Sequence, residues 1–368
     1  MAVGGEGPEA GAVPPPRLPR RTRLLLGGAF LLIVGAVLAD LLTGPGTTLS
    51  PVLAVAPVLV GATTRRARVP LVTGLAAIVV AALLEEGNSH LPGTVHLASL
   101  ITITAATLAS TANVVLIAAR ERELFQVRTV AEAAQRALLR PPPERAGPLR
   151  IAVRYVAAAA EARIGGDLYE VADTPYGVRI LLGDVQGHGL PAVETAADVL
   201  GAFRTAARTE PDLARLAERL DAALTDRPAD GRFVTALLLG VDRDGAALLV
   251  NCGHPHPLLR RADRVTELAP ARHAPPLGLL GLLDPTGGGY RADPVRPHPG
   301  DLLLLYTDGV SEARNAEGVF YPLPDRLPRL PAGTPDDLLE ALLTDLDAWV
   351  SPSGLADDAA ALAIRWEH

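Results

Sequence analysis

Residues 165–189 read GGDLYEVADTPYGVRILLGDVQGHG, and the soluble part of the fold is decided here. Two β-like runs, 167–172 and 178–184, flank the turn Thr174-Pro175-Tyr176-Gly177. Pro and Gly are turn residues, so the pattern is an antiparallel hairpin. Asp167 and Asp184 are equidistant from the middle of that turn, and a regular ladder sets them opposite each other. Like charges facing across a ladder are destabilising, and a divalent cation is the simplest compensation. Glycines stand beside both carboxylates, in Gly165-Gly166-Asp167 and Gly183-Asp184, with Gly187-His188-Gly189 just beyond. Glycine lets backbone approach a ligand closely or expose a carbonyl.

Outward from the hairpin, short β-like runs and helices alternate. Residues 150–156 read as a strand, and 190–208 and 212–224 as helices, the second opened by Pro211. Residues 234–241 and 246–251 flank Asp242-Arg243-Asp244-Gly245, a second hairpin. A buried strand at 302–306, an amphipathic helix at 336–350 and a closing strand at 359–366 complete an α+β layered domain. Two more acidic spots lie at strand ends: Asp308 after the run Leu302–Tyr306, and Asp357-Asp358 before the last strand. A single Asp-Gly usually marks a turn. Four such spots in one domain, two of them matched across a hairpin, point instead to an all-oxygen site for Mg²⁺ or Mn²⁺. The lone cysteine, Cys252, excludes a cysteine-cluster zinc site and an internal disulfide framework, and reads as a small buried residue.

The remainder of the 368-residue chain is different in kind. Hydrophobic residues make up 49% of the chain and charged residues only 20%, which excludes a disordered chain. The mean hydropathy of +0.25 is unevenly spread. Residues 24–119 hold only six charged side chains: Asp40, Arg65, Arg66, Arg68, Glu85 and Glu86. Four apolar stretches, 24–42, 47–64, 69–84 and 94–119, predict four transmembrane helices. The first and last reach the roughly 20 residues a span needs, the second carries Pro51 and Pro57, and the third is short. Arginines cluster before the first stretch, between the second and third, and after the fourth. The other two loops carry none. The positive-inside rule then puts both termini in the cytoplasm of a multi-pass cell-membrane protein. The resulting organisation is a disordered tail at 1–22, a membrane region at 23–119, a linker helix with a Pro-rich stop at 120–148, and the α+β domain at 149–366.

The linker helix carries Leu124, Val127, Ala131, Ala134 and Leu138 at heptad spacing. That seam fits a parallel homodimer contact, and equally a helix packed on its own α+β domain. Residues 120–368 carry 27 Arg against 36 Asp plus Glu, so no nucleic-acid binding is expected.

The motifs Ile164-Gly165-Gly166-Asp167-Leu168-Tyr169, Gly183-Asp184-Val185-Gln186-Gly187-His188-Gly189, Asn251-Cys252-Gly253-His254-Pro255, Leu305-Tyr306-Thr307-Asp308-Gly309-Val310 and Asp357-Asp358 together resemble the SpoIIE/RsbU branch of the metal-dependent, protein phosphatase 2C-like (PPM) serine/threonine phosphatases. The segment Ala134-Gln135-Arg136-Ala137-Leu138-Leu139-Arg140-Pro141 resembles the lead-in of actinobacterial members. The resemblance implies an α-β-β-α sandwich with two divalent metals at one edge. By motif, Asp184 would bridge both metals and the Val185 carbonyl would bind one. Asp167, Asp308 and Asp357 would complete the set, and Asp358 is the secondary member of its pair. The implied chemistry is hydrolysis of phosphoserine or phosphothreonine by a metal-activated water, without a phosphoenzyme. The implied substrate is a phosphorylated anti-sigma antagonist of the STAS type in partner-switching signalling.

Further candidates are Gly166, His188 and Arg163. His188 stands next to the metal motif, where it would orient a ligand or donate a proton, or be structural. Arg163 is a candidate contact for substrate phosphate or a solvated surface residue. His254 and His256 read as rim or packing residues. Departures from the family pattern are Glu170 in place of Asp, Gln186 in place of Ser and Cys252 in place of Ala. Glu170 is expected to be peripheral. The intact carboxylates speak against the alternative, a catalytically weak or inactive phosphoprotein-binding module.

Overall fold

The computed structural model describes residues 20–43, 48–87, 91–157, 166–225, 231–283, 288–331, 333–352 and 354–367. The chain divides into two compact units, Met1–Phe125 and Gln126–His368.

In the first unit, α1 (Arg20–Thr43) precedes a 3-10 turn (Ser50–Ala54) that runs into α2 (Val55–Gly61). Then come α3 (Arg68–Gly87) and α4 (Gly93–Leu138), which continues into the second unit. Among the described residues two stretches are long and apolar enough to cross a bilayer, Arg68–Glu86 and Gly93–Glu123, each with mean hydropathy 1.9. The expected span at 24–42 lies within α1, part of whose side chains fall outside the described residues, as does most of the tail at 1–22. The expected span at 47–64 is corrected. Pro51 opens the 3-10 turn, which runs without a break into α2, and the helical stretch Ser50–Gly61 is shorter than a spanning helix. Together turn and helix rise about 20 Å, short of the roughly 30 Å hydrocarbon core. The stretch at 69–84, short in sequence, belongs to a helix of 20 residues.

These helices approach through small residues, the usual interface chemistry where helices pack in lipid. A Cβ on Gly61 would lie 2.1 Å from Ser110 Oγ, and the Ser110 hydroxyl donates to the Pro57 carbonyl at 2.8 Å. Buried Asp40 accepts from the Leu49 N–H, and the Ser50 hydroxyl donates to Glu85 Oε1 at 3.3 Å.

The second unit is a four-layer sandwich. Its order is β1 (Arg145–Ala146), β2 (Leu149–Val156), β3 (Asp167–Thr174), β4 (Gly177–Val185), α5 (Leu190–Thr209), α6 (Leu213–Thr225), β5 (Val234–Val241), β6 (Ala247–Cys252), β7 (Leu258–Arg261), β8 (Arg264–Glu267), α7 (Leu280–Leu283), β9 (Asp293–Val295), β10 (Leu302–Tyr306), α8 (Asp308–Ser311), α9 (Leu323–Arg326), α10 (Pro335–Val350) and β11 (Ala359–Trp366). One sheet runs β1-β2-β11-β10-β7-β8 and the other β3-β4-β5-β6-β9. The expected α-β-β-α layering follows from alternation along the strands. On β4, Ile180 and Leu182 enter the core between the sheets, while Leu181 and Val185 face α5 and α6. On β11, Leu362 and Ile364 enter the same inter-sheet core, while Ala361 and Ala363 meet α10. Thr334 caps α10 by accepting from the Asp337 N–H, and the Asp337 side chain returns the bond. The short elements β1, β7, β8 and β9 add to those expected; runs of two to four residues are too brief to show a period.

The end of α4 packs on its own domain. Ala134 and Leu138 lie against Val193 of α5. The other heptad positions, Leu124, Val127 and Ala131, have side chains outside the described residues. Glu170 is not merely peripheral. It receives Nε and Nη2 of Arg204 at 2.9 and 2.6 Å, and the same Nη2 donates to the Leu138 carbonyl at 3.0 Å, tying the last turn of α4 to β3 and α5.

Candidate metal centre

The hairpin register is the one the turn predicts: Asp167 pairs with Asp184, and each later pair follows to Thr174 and Gly177. The Thr174 hydroxyl locks the turn, donating to the Gly177 carbonyl at 2.7 Å and accepting from the Tyr176 N–H at 3.2 Å. Gly166 precedes Asp167. A Cβ there would fall 2.4 Å from the Val185 carbonyl oxygen and 2.9 Å from Asp184 Oδ1. Only glycine lets the two backbones close on each other at this end, where the Val185 N–H donates to the Gly166 carbonyl at 3.2 Å.

The second sheet brings the other acids. β10 ends at Tyr306, Thr307 precedes the short α8, and Asp308 opens it. β11 begins after Asp357-Asp358. These two segments touch through Gly309, where a Cβ would lie 1.8 Å from the Asp358 carbonyl oxygen. Thr307 links the two sheets at the site. Its buried hydroxyl donates to Asp167 Oδ2 at 2.8 Å and accepts from the Ala360 N–H at 2.9 Å.

A cleft of about 230 Å³ is lined by Gly166, Asp167, Asp184, Val185, Gly187, His188, Asp308, Asp357 and Asp358. Five carboxylates thus share it, and no Arg lines it among the described residues. Burial, and next the charge of Asp184, hold the Asp167 carboxyl well above its ordinary range. Burial pushes Asp184 up to about 7, helped by the charges of Asp308, Asp357 and Asp358. Asp308 is raised by burial and by Asp357. Cations are what this set lacks, and its hard oxygens suit Mg²⁺ or Mn²⁺. Among the described residues no three of these side chains already converge on one point at ligand distance. The donor type and the charge fit a divalent cation; the ligand geometry would have to close around it.

The two members of the Asp pair differ. Asp357 is exposed, and its Oδ1 accepts from the Asp358 N–H at 2.9 Å. Asp358 is buried and accepts from the Tyr155 hydroxyl of β2. Burial, then the bond to Asp358, raises the Tyr155 phenol far above its ordinary value, so it remains a donor. His188 is exposed on the rim of the cleft. Arg163 lies outside the described residues.

His254 proves to be a clamp between the sheets. Its Nδ1 meets Thr235 Oγ1 of β5 at 2.9 Å, and its Nε2 meets the Tyr306 carbonyl of β10 at 3.1 Å. A carbonyl only accepts, so Nε2 carries the proton and Nδ1 accepts from the threonine hydroxyl. Burial lowers its pKa to about 4, so the ring is neutral at pH 7. Sequence reading missed Thr307 as a site residue although it lies within the Tyr306-Thr307-Asp308-Gly309 motif. It had no local signal for Tyr155, whose role depends on the pairing of β2 with β11.

A family model described as Stage II sporulation protein E (SpoIIE) matches residues 174–367. Gly166 and Asp167 precede the matched stretch. Among solved structures, the RsbU and RsbW domains of a Mycobacterium tuberculosis protein align at 26% identity and TM-score 0.49, over 59% of each chain. The PP2C phosphatase domain of SpoIIE from Bacillus subtilis, solved with a fragment of its regulatory domain, aligns at 18% identity and TM-score 0.50. That match covers 60% of this chain and 64% of that one. The chain therefore spans about six-tenths of these two structures. The SiaA-PP2C domain of Pseudomonas aeruginosa aligns at 22% identity and TM-score 0.54, over 67% of this chain and 98% of that one. The last two likenesses establish the fold.

Proposed function

The chain belongs to the SpoIIE family and has the PP2C-type fold, and on that premise we propose that it is a membrane-anchored, metal-dependent protein serine/threonine phosphatase. The observation that carries this reading is the cleft at one edge of the sandwich, which carboxylates from both sheets line and, among the described residues, no arginine does. Asp167, Asp184, Asp308, Asp357 and the Val185 carbonyl would hold two divalent ions, Mn²⁺ or Mg²⁺. Such ions neutralise a phosphate dianion and activate water for in-line attack.

The protein's own residues supply the frame. Asp167 and Asp184 are held at fixed separation by the β3–β4 ladder. The Thr307 hydroxyl orients Asp167. His188, exposed on the rim, is suited to donate a proton to the departing serine oxygen. The acidic surface repels a phosphoprotein unless cations fill the cleft, which makes activity conditional on metal.

The substrate we propose is a phosphorylated STAS-type anti-sigma antagonist, dephosphorylated in a partner-switching circuit. The helices at Arg68–Glu86 and Gly93–Glu123 would anchor the chain, with the phosphatase unit in the cytoplasm beside the Arg120 and Arg122 flank. Self-association through the seam would rest on Leu124, Val127 and Ala131, because Ala134 and Leu138 already pack on α5.

The test uses the full chain in detergent micelles with a phosphoserine peptide and with a phosphorylated STAS-domain protein. Hydrolysis that needs Mn²⁺ or Mg²⁺ and stops in chelator is expected. Turnover unchanged by chelator would overturn the reading. A reporter fused after Arg140 should report cytoplasm.

A further inference from the structure

Two adjacent aspartates, Asp357 and Asp358, line the same cleft, yet their surroundings divide them. Asp358 is 4% exposed, whereas Asp357 is open to solvent. A buried carboxylate must be hydrogen-bonded to be tolerated. Asp358 finds its donor in Tyr155, which reaches it from β2.

The register explains why Tyr155 is there. Tyr155 pairs with Ala360 across the β2–β11 ladder. Ala360 and Tyr155 both contribute to the core between the sheets. Two residues earlier on the same chain, Asp358 keeps the face of Ala360, because side chains repeat with period two. A long aromatic side chain spans that diagonal.

The Tyr155 hydroxyl is itself oriented. Gln135 Nε2, near the end of α4, donates to the phenolic oxygen at 2.9 Å. A phenol has one hydrogen. With its oxygen accepting from the amide, that hydrogen is directed to Asp358. Gln135 is 7% exposed, so the bond is shielded from water.

We propose that Tyr155, oriented by Gln135, is a positioning residue that holds Asp358 back and leaves Asp357 as the metal-facing carboxylate of the pair. The proposal rests on the metal-site reading given above. It deepens that reading by naming the residues that impose the inequality which the motif order of the two acids implies. Outer partners of ligating carboxylates commonly change metal affinity about tenfold or more when removed.

The experiment is Mn²⁺ titration calorimetry on the full chain in detergent micelles, with melting temperature recorded in parallel. Tyr155→Phe should weaken Mn²⁺ binding about tenfold, with a fall in melting temperature no larger than one buried hydrogen bond accounts for. Gln135→Leu should weaken it less, and the double variant should bind no worse than Tyr155→Phe, because the two act through one hydrogen bond. Asp357→Asn should cost more affinity than Asp358→Asn. Should Tyr155→Phe fail to fold, Gln135→Leu and the two Asp variants carry the same comparison. Wild-type chain that takes up no Mn²⁺ overturns the metal reading and the proposal together. Wild-type uptake with unchanged uptake in Tyr155→Phe and Gln135→Leu, or with Asp358→Asn costing more than Asp357→Asn, overturns the positioning role alone.

Discussion

The two sheets deliver their carboxylates to the cleft in different ways. On the β3–β4 side, Asp167 and Asp184 are neighbours in one ladder, separated in sequence only by a hairpin whose turn sets the register. On the β10–β11 side, Asp308 and Asp357 flank two paired strands separated in sequence by α8, α9 and α10, and the backbones meet closely at Gly309. The first pair is an arrangement of local geometry. The second depends on the packing of the two sheets, and Thr307 and His254 hydrogen-bond across to the first sheet there. Local register thus places charges against each other, while long-range packing decides which further charges join them.

The largest effect should come from the ladder pair. Asp184→Asn is expected to lower kcat/KM by about 10³-fold in the Mn²⁺-supplemented phosphopeptide assay. The same variant should raise the melting temperature measured in chelator, since it removes a like-charge contact across the ladder. An active Asp184→Asn would break the comparison at its stronger arm.

The clamp between the sheets should show in pH dependence. Burial holds the pKa of the folded His254 ring down to about 4, below its ordinary 6.5. The folded ring resists protonation, so the unfolded chain binds more protons between those values. Its contribution is therefore complete above about pH 6.5 and is lost as pH falls toward 4, by at most about 3 kcal/mol. Melting of wild type across this window should fall more steeply than melting of His254→Gln. Parallel slopes would remove His254 as the clamp.

Smaller again is the packing contact itself. Gly309→Ala places a Cβ against the Asp358 carbonyl, which neither segment can yield without moving an acid. A loss of about 2 kcal/mol in denaturant stability is expected, with a weaker Mn²⁺ response. The smallest effect should be Thr307→Val, which keeps the shape and deletes the donor to Asp167. It should lower kcat about fivefold with little change in KM for phosphopeptide, at a stability cost of about 1 kcal/mol. A KM effect alone would mean that Thr307 serves binding rather than the site's internal order.

Much of this was legible in the chain. Turn residues Pro175 and Gly177 and the alternation of 178–184 predict the hairpin, and the hairpin predicts the opposed aspartates. The longer strands and helices follow from period and length. The second apolar stretch misled because hydropathy does not mark helix ends, and here the helix opens only at Pro51 and stops at Gly61. Glu170 looked incidental because its partner Arg204 lies on another element, 34 residues away. Motif order ranked Asp357 above Asp358, but the physical difference between them was not legible, since it is supplied by Tyr155 of β2, 203 residues distant.

By itself, the sequence determined the longer elements, the α+β character of the second unit, the apolar first unit and the facing of Asp167 and Asp184, because these depend on nearest neighbours and a repeat of two or 3.6 residues. The tertiary structure decided how far each apolar stretch extends as one helix, which acids share the cleft, which of two adjacent aspartates is sheathed, and that His254 joins the sheets. Those outcomes turn on contacts between residues remote in the chain, whose energies exist only once the sheets have packed.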